Sequence, residues 1–117
     1  MDRNTCAYIV ANTEGVEAAI LLSGGRPLAW HCRREIPITE VASISAGLLS
    51  IAQELHLFDP TAPEASMHFE TKFGALNIRS VRPDTQLVLC LAGSYVTQAI
   101  DQIVHRILNE AVEINQE

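Results

Sequence analysis

Few residues of this 117-residue chain have the type and spacing to do chemistry. His31, Cys32 and Cys6 are soft metal donors. Zinc sites draw on paired ligands at short spacing, and adjacent strand residues such as His31 and Cys32 point to opposite faces, so no metal is expected. Gly24-Gly25 could open a phosphate-binding loop, but such a loop needs a lysine after its glycines. The only lysine is Lys72, followed by Phe73, so a hairpin turn is the better reading. Nucleophilic catalysis needs a base beside the nucleophile and a third group to orient it. His31, His56, His68 and His105 fall in no such arrangement; His68 and Glu70, two apart on a strand, suit a surface hydrogen bond. Glu14 with Glu17 and Glu110 with Glu113 read as solvated charges. Arg33-Arg34 could reach into a partner's phosphoryl-transfer site, although a solubilising pair is the simpler account. No catalytic residue, cofactor or metal is therefore expected.

The elements that would position a site read as follows. A helix over Asn4 to Asn12 turns Tyr8, Ile9 and Val10 inward and is stopped by Asn12-Thr13-Glu14-Gly15, with glycine in the capping position. Val16 to Leu22 is a strand, Ser23 to Arg26 a tight turn, and Pro27 to Cys32 a returning edge strand. A long helix follows from Thr39, its expected N-cap, to Leu57. A loop covers residues 58–63. Met67 to Thr71 and Ala75 to Val81 form a hairpin about Lys72-Phe73-Gly74. Gln86 to Ala92 is a nearly unbroken apolar strand, as expected when both faces are covered. Gly93-Ser94 opens a last amphipathic helix, whose apolar face runs from Val96 through Ile100, Ile103, Val104, Ile107 and Leu108 to Ala111.

The first and fifth strands are the most apolar and belong in the sheet centre. This gives an α+β fold, αββαβββα, with an antiparallel sheet of order 2-1-5-4-3. The central helix covers one face and the terminal helices the other, which leaves strand three as an edge. The length suits one domain over residues 1–117.

The central helix, TEVASISAGLLSIAQELHL, carries too much apolar surface for one contact. Its apolar and small positions cover an arc of roughly 220°, from Ile51 through Ile44, Leu55, Leu48, Val41 and Ala52 to Leu49, Ala42 and Ala46. We take the larger aliphatics as the core side. Ala42, Ser45, Ala46, Leu49 and Gln53 then form a surplus flank suited to a second subunit, so that Leu49→Glu should drive a dimer toward monomer. The narrow polar strip is Ser43, Gly47, Ser50 and Glu54. A glycine within a helix costs about 1 kcal/mol relative to alanine, which suggests a close partner contact there; plain solvent exposure fits equally.

Composition limits the partners. A net charge of −6 with only 8 basic residues argues against nucleic acid and against an electrostatic membrane anchor. No apolar run approaches the roughly 18 residues of a membrane span. Three cysteines without CxxC spacing and the lack of a secretory leader point to a reduced, cytoplasmic setting. Cys90, within an apolar run, reads as a core thiol.

These residues resemble a known family. Gly15 to Ala29, GVEAAILLSGGRPLA, resembles the opening hairpin of roadblock / dynein light-chain domains. The helix with Ala42, Ser45, Ala46 and Leu48-Leu49 is similar to their central helix. Phe69 to Arg79, FETKFGALNIR, resembles their glycine-centred third hairpin. The likeness runs from about Val16 to Val112 and is nearest to small prokaryotic members similar to gliding-motility GTPase regulators. The short polar first helix and Trp30-His31-Cys32-Arg33-Arg34 depart from the pattern. The resemblance implies a longin/profilin-like fold and a homodimer. The central helices would pack together, and Met67, His68, Phe69 and Glu70 would join the two sheets. It also implies a small Ras-like GTPase as partner, regulated or scaffolded without catalysis by this chain. Two other readings stay open: a passive dimerising subunit of a larger assembly, and a small-molecule sensing domain, disfavoured by so aliphatic a core.

Overall fold

The computed structural model describes residues 2–59, 61–62, 65–72 and 74–116, the side chains of 71 and 110–116 excepted. The order is α1 (Arg3–Asn12), β1 (Val16–Ser23), β2 (Arg26–Cys32), α2 (Ile38–Glu54), β3 (Ser66–Thr71), β4 (Gly74–Arg82), β5 (Thr85–Leu91) and α3 (Thr97–Gln116). The strands form one antiparallel sheet in the order β2-β1-β5-β4-β3, as the apolar content of β1 and β5 predicts. Parts of the 58–63 loop and of the Lys72-Phe73-Gly74 turn, and the side chains of Glu110, Ala111 and Glu113, lie outside the described residues.

β1 is buried at six of eight positions, because it is covered on both faces and paired on both edges. On one face Ala19, Leu21, Leu87 and Leu89 pack with Cys6, Ile9 and Val10 of α1 and with Ile100, Val104 and Ile107 of α3. On the other, Ile20, Leu22, Ile78 and Val88 pack with Ala42, Leu49 and Ala52 of α2 and with Phe58. The central helix thus covers one face and the terminal helices the other. α2 lies over β1 and β2.

Gly24 and Gly25 both take positive φ, +57° and +79°, the pair of angles a two-residue hairpin needs to match the strand twist. Gly15 (φ +86°) serves a close approach: a Cβ there would stand 2.5 Å from the Ser94 carbonyl oxygen. It lies past the end of α1, whose C-cap is the extended Thr13.

Several boundaries differ from the sequence reading. α1 begins one residue early because Asp2 caps it, accepting the Thr5 amide at 3.1 Å. These Thr5 hydrogen bonds hold the Asp2 carboxyl below its ordinary value. Tyr8 is 40% exposed rather than inward, and its hydroxyl accepts from Arg106. Thr39 is not the cap of α2: the helix starts behind Pro37 with no side-chain cap. Nor does α2 run to Leu57. His56 takes φ +59°, and the Leu57 and His56 amides return to the Ala52 and Gln53 carbonyls at 2.8 and 3.0 Å. That is a Schellman closure with histidine where glycine is usual. α3 begins at Thr97, leaving Val96 60% exposed.

Candidate functional site

α2 carries the feature that sequence reasoning weighted most, but its orientation is reversed. Ala42, Ser45, Leu49 and Ala52 are 1%, 0%, 6% and 6% exposed; they face the sheet of their own chain. Ala42, Ser45 and Leu49 therefore cannot be the dimer flank, and this assignment is corrected. Ala46 is half-buried beside the hairpin turn, its Cβ 3.2 Å from where a Gly25 Cβ would stand, and Gln53 is exposed. The physical reason is size. A helix lying close over β1 and β2 must present small side chains inward, so the bulky end of the arc is pushed out.

That outward end is Ile44, Ile51 and Leu55, exposed by 58%, 57% and 60%, with Leu48 half-buried among them. The spacing 44, 48, 51, 55 is the four-three-four alternation of a helix-pairing seam. That rhythm was readable in the sequence; the inside-out rule for large aliphatics hid it. Ser43, Gly47, Ser50 and Glu54 are exposed along one side of the seam, and a Cβ on Gly47 would meet nothing within 4 Å. Among the described residues no contact inside the chain requires that glycine.

β3 is the sheet edge the sequence anticipates, paired only to β4 among the described residues. Met67 and Phe69 lean, half-buried, onto the α2 face. His68 and Glu70 lie exposed on the opposite face in a network the sequence only half revealed. Arg79 Nε donates to Asn77 Oδ1 at 2.6 Å, so the Asn77 amide group is turned toward His68 Nδ1 at 3.2 Å. Nδ1 therefore accepts, the imidazole proton sits on Nε2, and Nε2 donates to Glu70 Oε1 at 3.2 Å. Tyr95 donates to the same carboxylate at 3.0 Å. Desolvation, reinforced by Glu70, raises the Tyr95 phenol above its ordinary value. Arg79 also pairs with Asp101 across to α3. None of these bonds reaches a serine or cysteine, so the network orders the edge strand rather than activating a nucleophile.

The remaining chemical candidates are accounted for by contacts within the chain. Arg33 bonds the carbonyls of Val10 and Val16, which holds it against the end of α1 rather than free to reach into a partner. Arg34 makes a 3.6 Å pair with Glu17. Burial pushes Cys6 and Cys90 up to about 11, the wrong direction for a nucleophile or metal ligand. Among the described residues no three His, Cys, Asp or Glu side chains gather to hold a metal, and no helix is long and apolar enough to cross a membrane. An open groove of about 460 Å³ between the β3–β4 edge and α3 is lined by Arg79, Asp101, Ser66 and His105 among others. Its cation is already matched by Asp101.

The arrangement of these helices on an antiparallel 2-1-5-4-3 sheet recurs in known structures. A Roadblock/LC7 domain from Streptomyces avermitilis superposes with a TM-score of 0.79 at 15% identity, covering 100% of both chains. The chain has the Roadblock/LC7 fold. MglB of Myxococcus xanthus matches this fold with a TM-score of 0.75 at 15% identity, over 97% of this chain and 94% of that one. The gliding protein MglB of Thermus thermophilus matches at 0.73 and 16%, over 90% and 81%. No protein-family model and no curated protein matches the sequence. At these identities the likeness is one of fold.

Proposed function

We propose that this chain is a single-domain, non-enzymatic binding module of the cytoplasm that forms a homodimer and regulates or scaffolds a small Ras-like GTPase. The observation that carries the reading is the seam of Ile44, Leu48, Ile51 and Leu55 on the outside of α2. Three large aliphatics more than half exposed in one row form an apolar patch of the kind that marks an interface. A two-fold axis through this seam sets α2 against its copy and extends the sheet through β3, with Met67, His68, Phe69 and Glu70 along the join. The Roadblock/LC7 fold supports this arrangement, since the resemblance implies dimers built from the central helix and third strand.

The dimer presents two copies of the strip Ser43, Gly47, Ser50 and Glu54, with Ala46 and Gln53 behind it. Small side chains there leave room for a partner to approach α2 closely. The test is a pull-down from host lysate with the tagged chain, run with GDP and with a non-hydrolysable GTP analogue. A small GTPase recovered in one nucleotide state supports regulation. Recovery of larger proteins equally in both states points instead to a passive assembly subunit.

A further inference from the structure

We propose that the open edge of β2 is a second binding site, which takes an extended peptide with alternating apolar and acidic residues as an added strand. This inference does not rest on the dimer or on the GTPase partner. β2 ends the sheet on the side opposite β3, and among the described residues no strand pairs with its outer edge. The Arg33 amide donates to the Glu17 carbonyl at 2.8 Å, which fixes the phase of the antiparallel ladder. Glu17–Arg33, Ala19–His31 and Leu21–Ala29 are the hydrogen-bonded pairs, and Ala18–Cys32 and Ile20–Trp30 are not. The backbone N–H and C=O groups of Trp30 and Cys32 are therefore directed outward.

The two faces of this edge differ in chemistry. Trp30 shares the α2 face with its partner Ile20 and is 44% exposed. Leu28, the extra residue of a bulge, stands 61% exposed beside it. A lone edge strand bearing an exposed tryptophan and leucine is what folds usually avoid with charge on the edge. The α1 face carries basic side chains instead. Arg26 pairs with Ser23, on that face, and His31 and Arg33 alternate with Trp30 and Cys32. The Arg33 guanidinium donates to backbone carbonyls, which leaves its positive charge in place. In a chain of net charge −6, three of the eight basic residues lie at Arg26, Arg33 and Arg34; Glu17 and Glu35 offset them only in part. Because strand side chains alternate, an added strand places every second residue beside Trp30 and Leu28 and the others beside Arg26 and His31, on the face whose field also includes the charge of the tethered Arg33. Alternating apolar and acidic residues satisfy both faces, while main-chain bonds to Trp30 and Cys32 hold the strand in register.

Trp30 is the only tryptophan, so its emission reports directly on the site. The full chain is titrated with a blocked peptide of alternating Val and Glu. Two controls are a Val–Lys peptide and a Val–Glu peptide N-methylated at alternate amides, which cannot complete the ladder. The expected result is a saturable blue shift with Val–Glu alone, weakened about tenfold by Leu28→Ser and reduced by salt. No shift with Val–Glu, or equal shifts with either control, overturns the proposal. So does a Trp30 emission that changes on dilution of the chain alone and resists the peptide, because a second copy would then cover the edge.

Discussion

Ile51→Glu should separate the proposed dimer without unfolding its protomers. Ile51 is 57% exposed, so more than half of its side chain remains in water in the isolated chain. Fully burying an isoleucine stabilises by about 1.5–3 kcal/mol. Covering the remaining fraction is then worth roughly 1–1.5 kcal/mol per copy, and roughly 2–3 kcal/mol in a two-fold dimer that uses the residue twice. Losing it raises the dimer Kd by about 30- to 150-fold. This is a floor, because glutamate must also be desolvated in the seam. The protomer tolerates the change: glutamate is a good helix former, and repulsion from Glu54 one turn away costs only about 0.2–0.5 kcal/mol. Leu49→Glu is the contrasting variant. Leu49 is 6% exposed, so a carboxylate there unfolds the chain and says nothing about association. Molar mass followed by light scattering across a dilution series, with thermal melts alongside, separates the two. If Ile51→Glu keeps the wild-type melting temperature and the wild-type mass at every concentration, the seam is not the interface.

Further predictions concern the fold that positions these surfaces. Ser45 is fully buried, and its hydroxyl finds no partner among the described residues; Ser45→Ala should add about 1 kcal/mol of stability in denaturant titration and leave the mass unchanged. His56→Gly relieves a left-handed residue that costs about 1–2 kcal/mol, less the roughly 0.5–1 kcal/mol of extra backbone entropy that glycine loses on folding. Its denaturation midpoint should therefore rise slightly. Cys6 is a neutral thiol in the fold up to about 11, against an ordinary 9.0. Between those values the unfolded chain has lost a proton that the folded chain keeps. Stability must therefore fall as pH rises through that window, by up to about 2–3 kcal/mol. Cys6→Ala should flatten the fall in urea midpoints; an equal fall in the variant would show that Cys6 is not its source.

The topology was legible because it depends on quantities a sequence displays. Unbroken apolar runs in β1 and β5 demand cover on both faces, and the glycine pair and short turns force hairpins, so little freedom is left in the strand order. The orientation of α2 was not legible for the same kind of reason. Periodicity measures the width of an apolar arc, but which end meets the sheet depends on how closely helix and sheet approach. Here the approach is close, and Ala42, Ser45 and Ala52 are the residues that permit it. A helix that buries its small side chains must display its large ones, so the Ile44–Leu55 seam is a consequence of the same close packing. Arg33 illustrates a different limit: its bonds to Val10 and Val16 cross 23 and 17 residues of chain, a distance no local pattern encodes. Only with Arg33 tied to α1 does the edge of β2 emerge as a surface with a basic and an apolar face. In the sequence, Trp30-His31-Cys32-Arg33-Arg34 stood out only as a departure from the family pattern; in the fold, its first three residues end β2, the strand whose outer edge we propose as a peptide site.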